Sequence, residues 1–352
     1  MVRYVINPKP GVPGIVVLPA GGFRRAKAEI TAWPGYAPTP LQDGVSLAGH
    51  LGVASVAIKD EAGRFGLGSF KALGGAYAAA EVVLNERARR AGGPLTLTCA
   101  TDGNHGRSVA WGAQRMGERS CIFVHEGVDN ERVAAIEQHG AEVRRAGSTY
   151  DESVRVAGEV AAREGWFVVS DTSWPGYTEV PRQVMQGYRI LVDEALDQWA
   201  GAPPTHVFVQ AGVGGLAAAV AVHLRARLGT LPTLIVVEPD SAACLLASAQ
   251  SGGWTAIAGP LATTMDCLAC GEPSLLAWQE LGRSATAFLA IGDDWATEAV
   301  HALAALNIES QPSGAAGLAG LLAAAADPDL KAAFALDGSS RVLLFNTEGG
   351  AA

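Results

Sequence analysis

The chain has 352 residues, of which 49% are hydrophobic and 17% are charged, a composition typical of a globular protein long enough for about two domains. Its 26 basic and 35 acidic residues give a net charge of −9, and the arginines are scattered, which argues against a nucleic-acid-binding surface. The apolar runs are too short to span a membrane. We therefore expect neither nucleic-acid nor membrane partners.

The five cysteines form no spaced framework, and their odd number favours reduced thiols over disulfides. Cys267 and Cys270 make a C-x-x-C pair, but no second pair and no nearby histidine accompany it. We therefore expect no metal site and no redox role for this pair. The N-terminus lacks the pattern of a secretory signal peptide. Together these features predict a cytoplasmic location.

The first 40 residues contain seven prolines and predict an irregular arm with one short helix near Ala26. A strand is predicted at 53–59, and a loop from Asp60 leads to a glycine-rich segment around Lys71.

From about residue 72, apolar strands alternate with amphipathic helices, which indicates parallel βαβ units and an α/β fold. The predicted strands cover 95–100, 121–125, 142–145, 166–170, 206–209, 234–238, 288–291 and 342–345. The predicted helices cover 72–90, 107–116, 130–139, 150–164, 180–200 and 216–228.

Lys71 stands among glycines and apolar residues, directly before the apolar helix predicted at 72–90. Desolvation lowers the pKa of an amine and makes it a better nucleophile or base. The alternative is a lysine that extends to solvent from a buried helix end.

A second candidate is the turn Gln210-Ala-Gly-Val-Gly-Gly-Leu216, which joins a predicted strand to a predicted helix. Glycines allow backbone N–H groups to approach an anion, and a helix N-terminus favours negative charge. The turn therefore suggests a phosphate cradle, although it lacks the Rossmann and P-loop spacings. The alternative is a tight turn that binds nothing.

The turn Thr101-Asp-Gly-Asn-His-Gly106 also joins a strand to a helix. Its N–H groups and the amide of Asn104 could hold a substrate carboxylate, and Asp102 could act as an acid or base. The alternative for Asp102 is an ordinary helix N-cap.

Taken together and in order, these motifs resemble the fold-type II pyridoxal-phosphate enzymes, which include threonine dehydratase and the β-replacing synthases. The motifs are Ser69-Phe-Lys71 with Gly74-Gly75, Asp102-Gly-Asn104-His, and Gly212-Val-Gly-Gly215. The segments 59–61, 64–67, 171–177, 185–188 and 268–273 are most similar to the diaminopropionate ammonia-lyase branch. The resemblance covers about residue 30 to the C-terminus and implies a tryptophan synthase β-like α/β fold and a homodimer.

The resemblance also implies residue roles around pyridoxal 5'-phosphate. Lys71 would form a Schiff base with the cofactor, and Asn104 would contact its 3-hydroxyl oxygen. Thr347 would lie near the pyridine nitrogen, and Asp102 and Asp171 would be active-site carboxylates. The phosphate would be wrapped by Gly212, Val213, Gly214, Gly215 and Leu216.

The implied architecture is a large cofactor domain, 1–77 with 171–352, and a small mobile domain, 78–170. The implied reaction is α,β-elimination of 2,3-diaminopropionate to pyruvate and ammonia. Gln311-Pro312, Asp266 and Cys267 depart from the family pattern and leave the substrate and its D or L form open. The alternatives are a serine or threonine dehydratase, another C–N lyase or β-replacement enzyme, and a ligand-binding relative without catalysis.

Overall fold

A computed structural model describes residues 2–8, 14–89, 92–101 and 103–350. Asp102 therefore lies outside the described residues. Within these ranges, no helix combines the length and the apolar character that a membrane span requires.

The strands and helices alternate along most of the chain. The strands are β1 (Arg3–Ile6), β2 (Leu41–Asp43), β3 (Ser55–Asp60), β4 (Thr96–Ala100), β5 (Arg119–Val124), β6 (Glu142–Arg145), β7 (Phe167–Val168), β8 (His206–Gln210), β9 (Thr233–Pro239), β10 (Ala287–Ile291) and β11 (Arg341–Asn346). The helices are α1 (Ala20–Thr31), α2 (Val45–Leu51), α3 (Lys71–Arg89), α4 (Asn104–Met116), α5 (Asn130–Glu137), α6 (Tyr150–Glu164), α7 (Glu179–Gln198), α8 (Gly215–Leu228), α9 (Cys244–Ser251), α10 (Leu275–Ser284), α11 (Asp293–Ala304), α12 (Pro312–Ala326) and α13 (Pro328–Phe334).

The chain forms two compact units. The first comprises Met1–Pro19, Ala37–Gly68 and Leu191–Ala352, and the second comprises Ala20–Tyr36 and Ser69–Ile190.

The first unit contains a seven-stranded mixed sheet in the order β1-β10-β9-β8-β11-β3-β2. The inner pairs are parallel, and only the edge strands β1 and β2 run antiparallel to their neighbours. All residues of β8 and β10 are buried, as expected for strands covered on both faces. The nearly continuous apolar surface of α12 contributes to the core of this unit.

The second unit contains a four-stranded parallel sheet in the order β6-β5-β4-β7. Helices α3 and α4 pack against each other at Gly112, where an added Cβ would lie 2.7 Å from the Cα of Ala76 and 2.9 Å from the Cβ of Ala79. The helix starts at Lys71 and Asn104 therefore both belong to the second unit.

The boundaries of the two compact units differ from the domain boundaries predicted at 77/78 and 170/171. The whole of α3 and the first part of α7 group with the four-stranded sheet. The reason is a tight crossing of α3 and α7, because an added Cβ on Gly187 would lie 1.9 Å from the carbonyl oxygen of Leu73.

The N-terminal arm is more ordered than predicted. Residues Arg3–Ile6 form β1, which pairs with β10, and the short helix expected near Ala26 is the twelve-residue α1. The predicted helix near Ala26 is confirmed, and the prediction missed only β1, because an edge strand can be formed by a partner far away in the chain.

Candidate active site

Lys71 is the first residue of α3 and follows a loop in which Gly66 and Gly68 both have φ +70°. Its Nζ donates a hydrogen bond to Asp171 Oδ2 at 2.5 Å. The ammonium also lies 5.5 Å from the ring centroid of Phe70 and 6.0 Å from that of Tyr188. The lysine that the sequence singled out is therefore held by a carboxylate and two aromatic rings instead of standing in a purely apolar environment.

Asp171 is brought to Lys71 from the loop after β7, and its side chain is only 12% exposed. Burial acts to raise the pKa of Asp171, but the Lys71 ammonium outweighs burial and holds this pKa well below its usual range. A carboxylate at this place can stabilise a cation or exchange a proton with Lys71.

His105, the second residue of α4, completes this cluster. Its Nε2 lies 2.7 Å from the carbonyl oxygen of Val169, and its Nδ1 lies 3.8 Å from Asp171 Oδ2. The residue is 5% exposed, and a Cβ added on Gly75 of α3 would lie 3.4 Å from its Cε1, an ordinary contact distance. Sequence reasoning missed His105, although it directly follows the singled-out Asn104.

Asn104 begins α4 and is partly buried, while the neighbouring Asp102 is outside the described residues. The Oγ1 of Thr101 accepts hydrogen bonds from the N–H groups of Gly103 and Gly106, at 3.0 and 3.1 Å. These bonds hold the turn that presents the start of α4.

The glycine turn 212–216 joins β8 to α8, as predicted. An added Cβ on Gly212 would lie 3.0 Å from Cys270 Sγ and 3.2 Å from the Cα of Leu268. Gly214 has φ +93°, and an added Cβ there would approach Ala277, Leu245 and Leu281 at 3.1–3.2 Å. The first N–H groups of a helix have no partner within the helix, so this turn offers several donors to an anion.

Thr347 follows β11 and is joined to the start of this turn through Gln210. The two hydrogens of Gln210 Nε2 serve three acceptors, so one hydrogen is shared: Thr347 Oγ1 at 2.8 Å, the Gly314 carbonyl at 2.7 Å and the Phe345 carbonyl at 3.0 Å. Because an amide N–H₂ only donates, the Thr347 hydroxyl accepts this bond and keeps its own hydrogen for another acceptor. Sequence reasoning missed Gln210.

Asp266 and Cys267, to which the sequence assigned no role, lie near Glu348. Cys267 Sγ donates to Glu348 Oε2 at 3.7 Å, and the N–H of Cys267 donates to Ser313 Oγ at 3.1 Å. The departure at residues 311 and 312 begins α12, with proline at a first-turn position, which suits its fixed φ.

Residues 32–348 match the model of a family described as "Pyridoxal-phosphate dependent enzyme". The match spans most of the chain, so the chain belongs to the pyridoxal-phosphate dependent enzymes. The predicted fold-type II resemblance, its α/β fold and its pyridoxal 5'-phosphate cofactor are thereby confirmed.

Within this family the chain is similar to the diaminopropionate ammonia-lyases. It is 41% identical over 339 residues to that of Escherichia coli (strain K12), a match that covers 90% of this chain and 85% of the relative. It is 36% identical over 348 residues to the enzyme of Salmonella typhimurium (strain LT2), a match that covers 90% of this chain and 86% of the relative.

A solved structure gives the same result. It is the Escherichia coli diaminopropionate ammonia-lyase in complex with an aminoacrylate-PLP azomethine reaction intermediate. The match has a TM-score of 0.92 and 36% identity, and it covers 100% of this chain and 94% of that chain. The chain is therefore a pyridoxal-phosphate-dependent ammonia-lyase, a carbon–nitrogen lyase.

The residues described above fit this cofactor. In the second unit, Lys71 offers an amine at a helix start. In the first unit, Thr347 offers a hydroxyl whose oxygen already accepts a bond from Gln210, and the turn at 212–216 would be crowded by a Cβ on Gly212 or Gly214, at 3.0–3.2 Å from its neighbours. An amine, a hydroxyl donor and a glycine turn at a helix N-terminus are the groups that an aldehyde, a ring nitrogen and a phosphate require.

Proposed function

We propose that the chain catalyses α,β-elimination of 2,3-diaminopropionate to pyruvate and ammonia. The observation that carries the proposal is the ion pair between Lys71 Nζ and the buried carboxylate of Asp171. The reaction needs a base at the α-carbon and a group that keeps the leaving β-amine cationic, and this pair offers both.

Lys71 would hold the cofactor through its amine and, when released, would remove the α-proton of an L-substrate with its Nζ. Asp102 would do so for a D-substrate. The bound cofactor supplies a conjugated ring that takes up the electron pair left at the α-carbon. The protein's part is to place a base near that carbon and to exclude water from it.

Asp171 would act at the β-carbon. Its carboxylate already stabilises the Lys71 ammonium, and it can stabilise the substrate's β-ammonium in the same way once Lys71 is engaged elsewhere. An ammonium is a good leaving group, whereas a neutral amine is not. The eliminated product would then hydrolyse to pyruvate and a second ammonia.

The other predicted site residues would orient the cofactor. Asn104 would contact the 3-hydroxyl oxygen, and the turn from Gly212 to Leu216 would bind the phosphate through backbone N–H groups. Thr347 would donate its hydroxyl hydrogen to the pyridine nitrogen, because Gln210 already donates to its oxygen. A ring nitrogen that accepts a hydrogen bond stays unprotonated, which suits elimination.

The test is a pyruvate-release assay on the purified holoenzyme. D- and L-2,3-diaminopropionate would be run beside D- and L-serine and beside L-threonine, whose elimination would be followed as release of 2-oxobutanoate. We expect pyruvate from diaminopropionate, and the ratio of the two isomers would show which base acts. Turnover of only the hydroxy-amino acids would contradict the proposal and favour a dehydratase.

The control is Lys71→Ala, which should remove both activity and the visible absorbance of the bound cofactor. A normal visible spectrum in this variant would contradict the role proposed for Lys71.

We further propose a cytoplasmic homodimer that acts on a free amino acid. The family resemblance supports the dimer, and the five cysteines, all present as free thiols, fit a reducing compartment. Mass measurement of the purified protein in solution would test the dimer, and a monomer that turns over diaminopropionate would contradict it.

A further inference from the structure

The imidazole ring of His105 has one defined tautomer when it is neutral. The partner of Nε2 is the carbonyl oxygen of Val169, which can only accept, so Nε2 carries the hydrogen. In the neutral ring the lone pair is then on Nδ1, which is buried and makes no hydrogen bond in the described structure. Burial, opposed by Asp171 and assisted by the Lys71 ammonium, lowers the pKa of His105. The resting ring is therefore neutral, with a basic nitrogen turned towards Asp171.

Asp171 Oδ2 stands between two nitrogens. It accepts from Lys71 Nζ at 2.5 Å and lies 3.8 Å from His105 Nδ1. Closing the second gap by about 0.8 Å would give an ordinary N–H···O hydrogen bond. One carboxylate oxygen can therefore exchange a proton with either neighbour after a small movement.

An ammonium cannot react with a carbonyl or remove a proton, so Lys71 must lose a proton before it acts. We propose that His105 takes up, through Asp171, the proton that Lys71 releases. The inference rests on the proposed function, in which Lys71 is the cofactor-binding lysine. In this proposal His105 acts through Asp171 and is a positioning residue.

The proton balance is simple. An N–H bond of Lys71 breaks as an O–H bond forms on Asp171 Oδ2, and that bond breaks in turn as an N–H bond forms on His105 Nδ1. Lys71 ends neutral, Asp171 ends as a carboxylate again, and His105 ends cationic. The total charge of the cluster is unchanged, so no charge has to leave a buried site.

Three other titratable groups face this cluster. Burial raises the pKa values of Cys99 on β4, of Tyr177 and of Tyr188 on α7. All three stay neutral near pH 7 and do not compete for the proton. The described neighbours that change charge are thus Lys71, Asp171 and His105.

This arrangement predicts a particular pH dependence. With His105 present, a state with neutral Lys71 and cationic His105 carries the same number of protons as the resting state, so its population does not fall as the pH falls. Without a basic nitrogen at Nδ1, Lys71 must lose its proton to solvent, and the neutral amine becomes about ten-fold rarer per pH unit below the amine's pKa.

The test uses His105→Gln, because a glutamine amide can still donate to the Val169 carbonyl while it offers no basic nitrogen to Asp171. The measurement is the rate at which the apoprotein binds added pyridoxal 5'-phosphate, followed by visible absorbance from about pH 9 to about pH 6. His139→Gln, a substitution at a half-buried histidine of the same unit, is the matched control. Thermal unfolding of each apoprotein reports on folding.

We expect the ratio of the wild-type rate to the His105→Gln rate to approach one above the pKa that His105 has beside a neutral Lys71, and to rise by up to about ten-fold per pH unit below that pKa. A ratio that is constant with pH would overturn the inference, whether it equals one or shows a uniform slowing. His105→Ala, which also loses the bond to Val169, should repeat the pH dependence of the Gln variant if Nδ1 is the group that matters. A wild-type apoprotein that never gains visible absorbance would instead contradict the proposed function.

Discussion

Gln210 connects three segments that are far apart in the chain. Its amide donates to two carbonyl groups and to the hydroxyl of Thr347, and its side chain is 2% exposed. An added Cβ on Gly317 would lie 2.9 Å from Gln210 Oε1, so the glycine in α12 provides the space for the amide. One buried side chain thus stabilises the unit and directs a hydroxyl hydrogen.

We expect Gln210→Met to lower the free energy of unfolding by about 1–3 kcal/mol, because two buried carbonyl groups lose a donor. It should also weaken pyridoxal-phosphate binding, because the Thr347 hydroxyl is no longer oriented. Urea unfolding of the apoprotein and titration with the cofactor would measure the two effects. Gln250→Met, at an exposed position in the same unit, is the control, and equal behaviour of the two variants would contradict this role.

Among single residues, Lys71 and Asn104 could be predicted from local patterns, whereas the contacts of His105 and Gln210 could not, although both stand in the same motifs. Lys71 and Asn104 stand in recognisable local patterns at helix starts. His105 and Gln210 matter because of atoms contributed by Asp171 and Thr347, and no spacing in the chain reports such distances.

At the scale of elements, the turn between β8 and α8 depends on backbone geometry. Gly214 precedes α8 and has φ +93°, and Gly229 follows the same helix and has φ +75°. An added Cβ would be crowded by three side chains at Gly214 but would meet nothing within 4 Å at Gly229. Substituting Gly229 therefore measures the cost of a left-handed backbone alone, whereas substituting Gly214 adds the cost of disturbing the turn.

We expect Gly229→Ala to cost about 1–2 kcal/mol of stability, as a left-handed alanine does, and to leave cofactor binding unchanged. Gly214→Ala should cost more stability and weaken pyridoxal-phosphate binding by at least about ten-fold, since backbone N–H groups at a helix start must point at the phosphate. Cofactor titration and urea unfolding of both variants would test this. Equal cofactor affinities would show that the turn does not hold the phosphate.

The edge strands show where element prediction failed. Both β1 and β2 are short and run antiparallel on an otherwise parallel sheet. Neither has the apolar alternation of a central strand, and β1 pairs with β10 across nearly the whole chain. The inner strands were predicted because burial on both faces demands a continuous apolar run.

At the scale of the whole molecule, a buried ionic network stabilises the first unit. Arg64 donates to Glu61 and Glu194, and Lys59 pairs with Glu194 at 2.7 Å. All four side chains are at most 6% exposed. Burial acts to raise the pKa of Glu194, but Arg64 and then Lys59 hold it below its usual value.

We expect Arg64→Met to lower the free energy of unfolding by about 3–5 kcal/mol near neutral pH, because it leaves two carboxylates short of a partner. The folded pKa of Glu194 lies below the unfolded value of about 4.3, so its stabilisation is present above that pH and is lost as the pH falls further. The difference between wild type and variant should therefore narrow in acid.

Urea unfolding at several pH values would measure the difference in free energy of unfolding between the wild type and Arg64→Met. Arg89→Met is the control, because Arg89 is 75% exposed and its ion pair with Glu86 should be worth less than about 1 kcal/mol. Equal losses of unfolding free energy in both variants would show that burial does not make the Arg64 ion pairs stronger than an exposed pair.

By itself, the sequence determined the family, the cofactor, the α/β alternation and the helix starts that carry Lys71, Asn104 and the glycine turn. These properties depend on local order: apolar periodicity, glycine spacing and the position of polar residues at strand ends. Only the tertiary structure placed Asp171 and His105 at Lys71 and Gln210 at Thr347. Such contacts arise when segments about a hundred residues apart pack together, and their distances are set by that packing instead of by any local pattern.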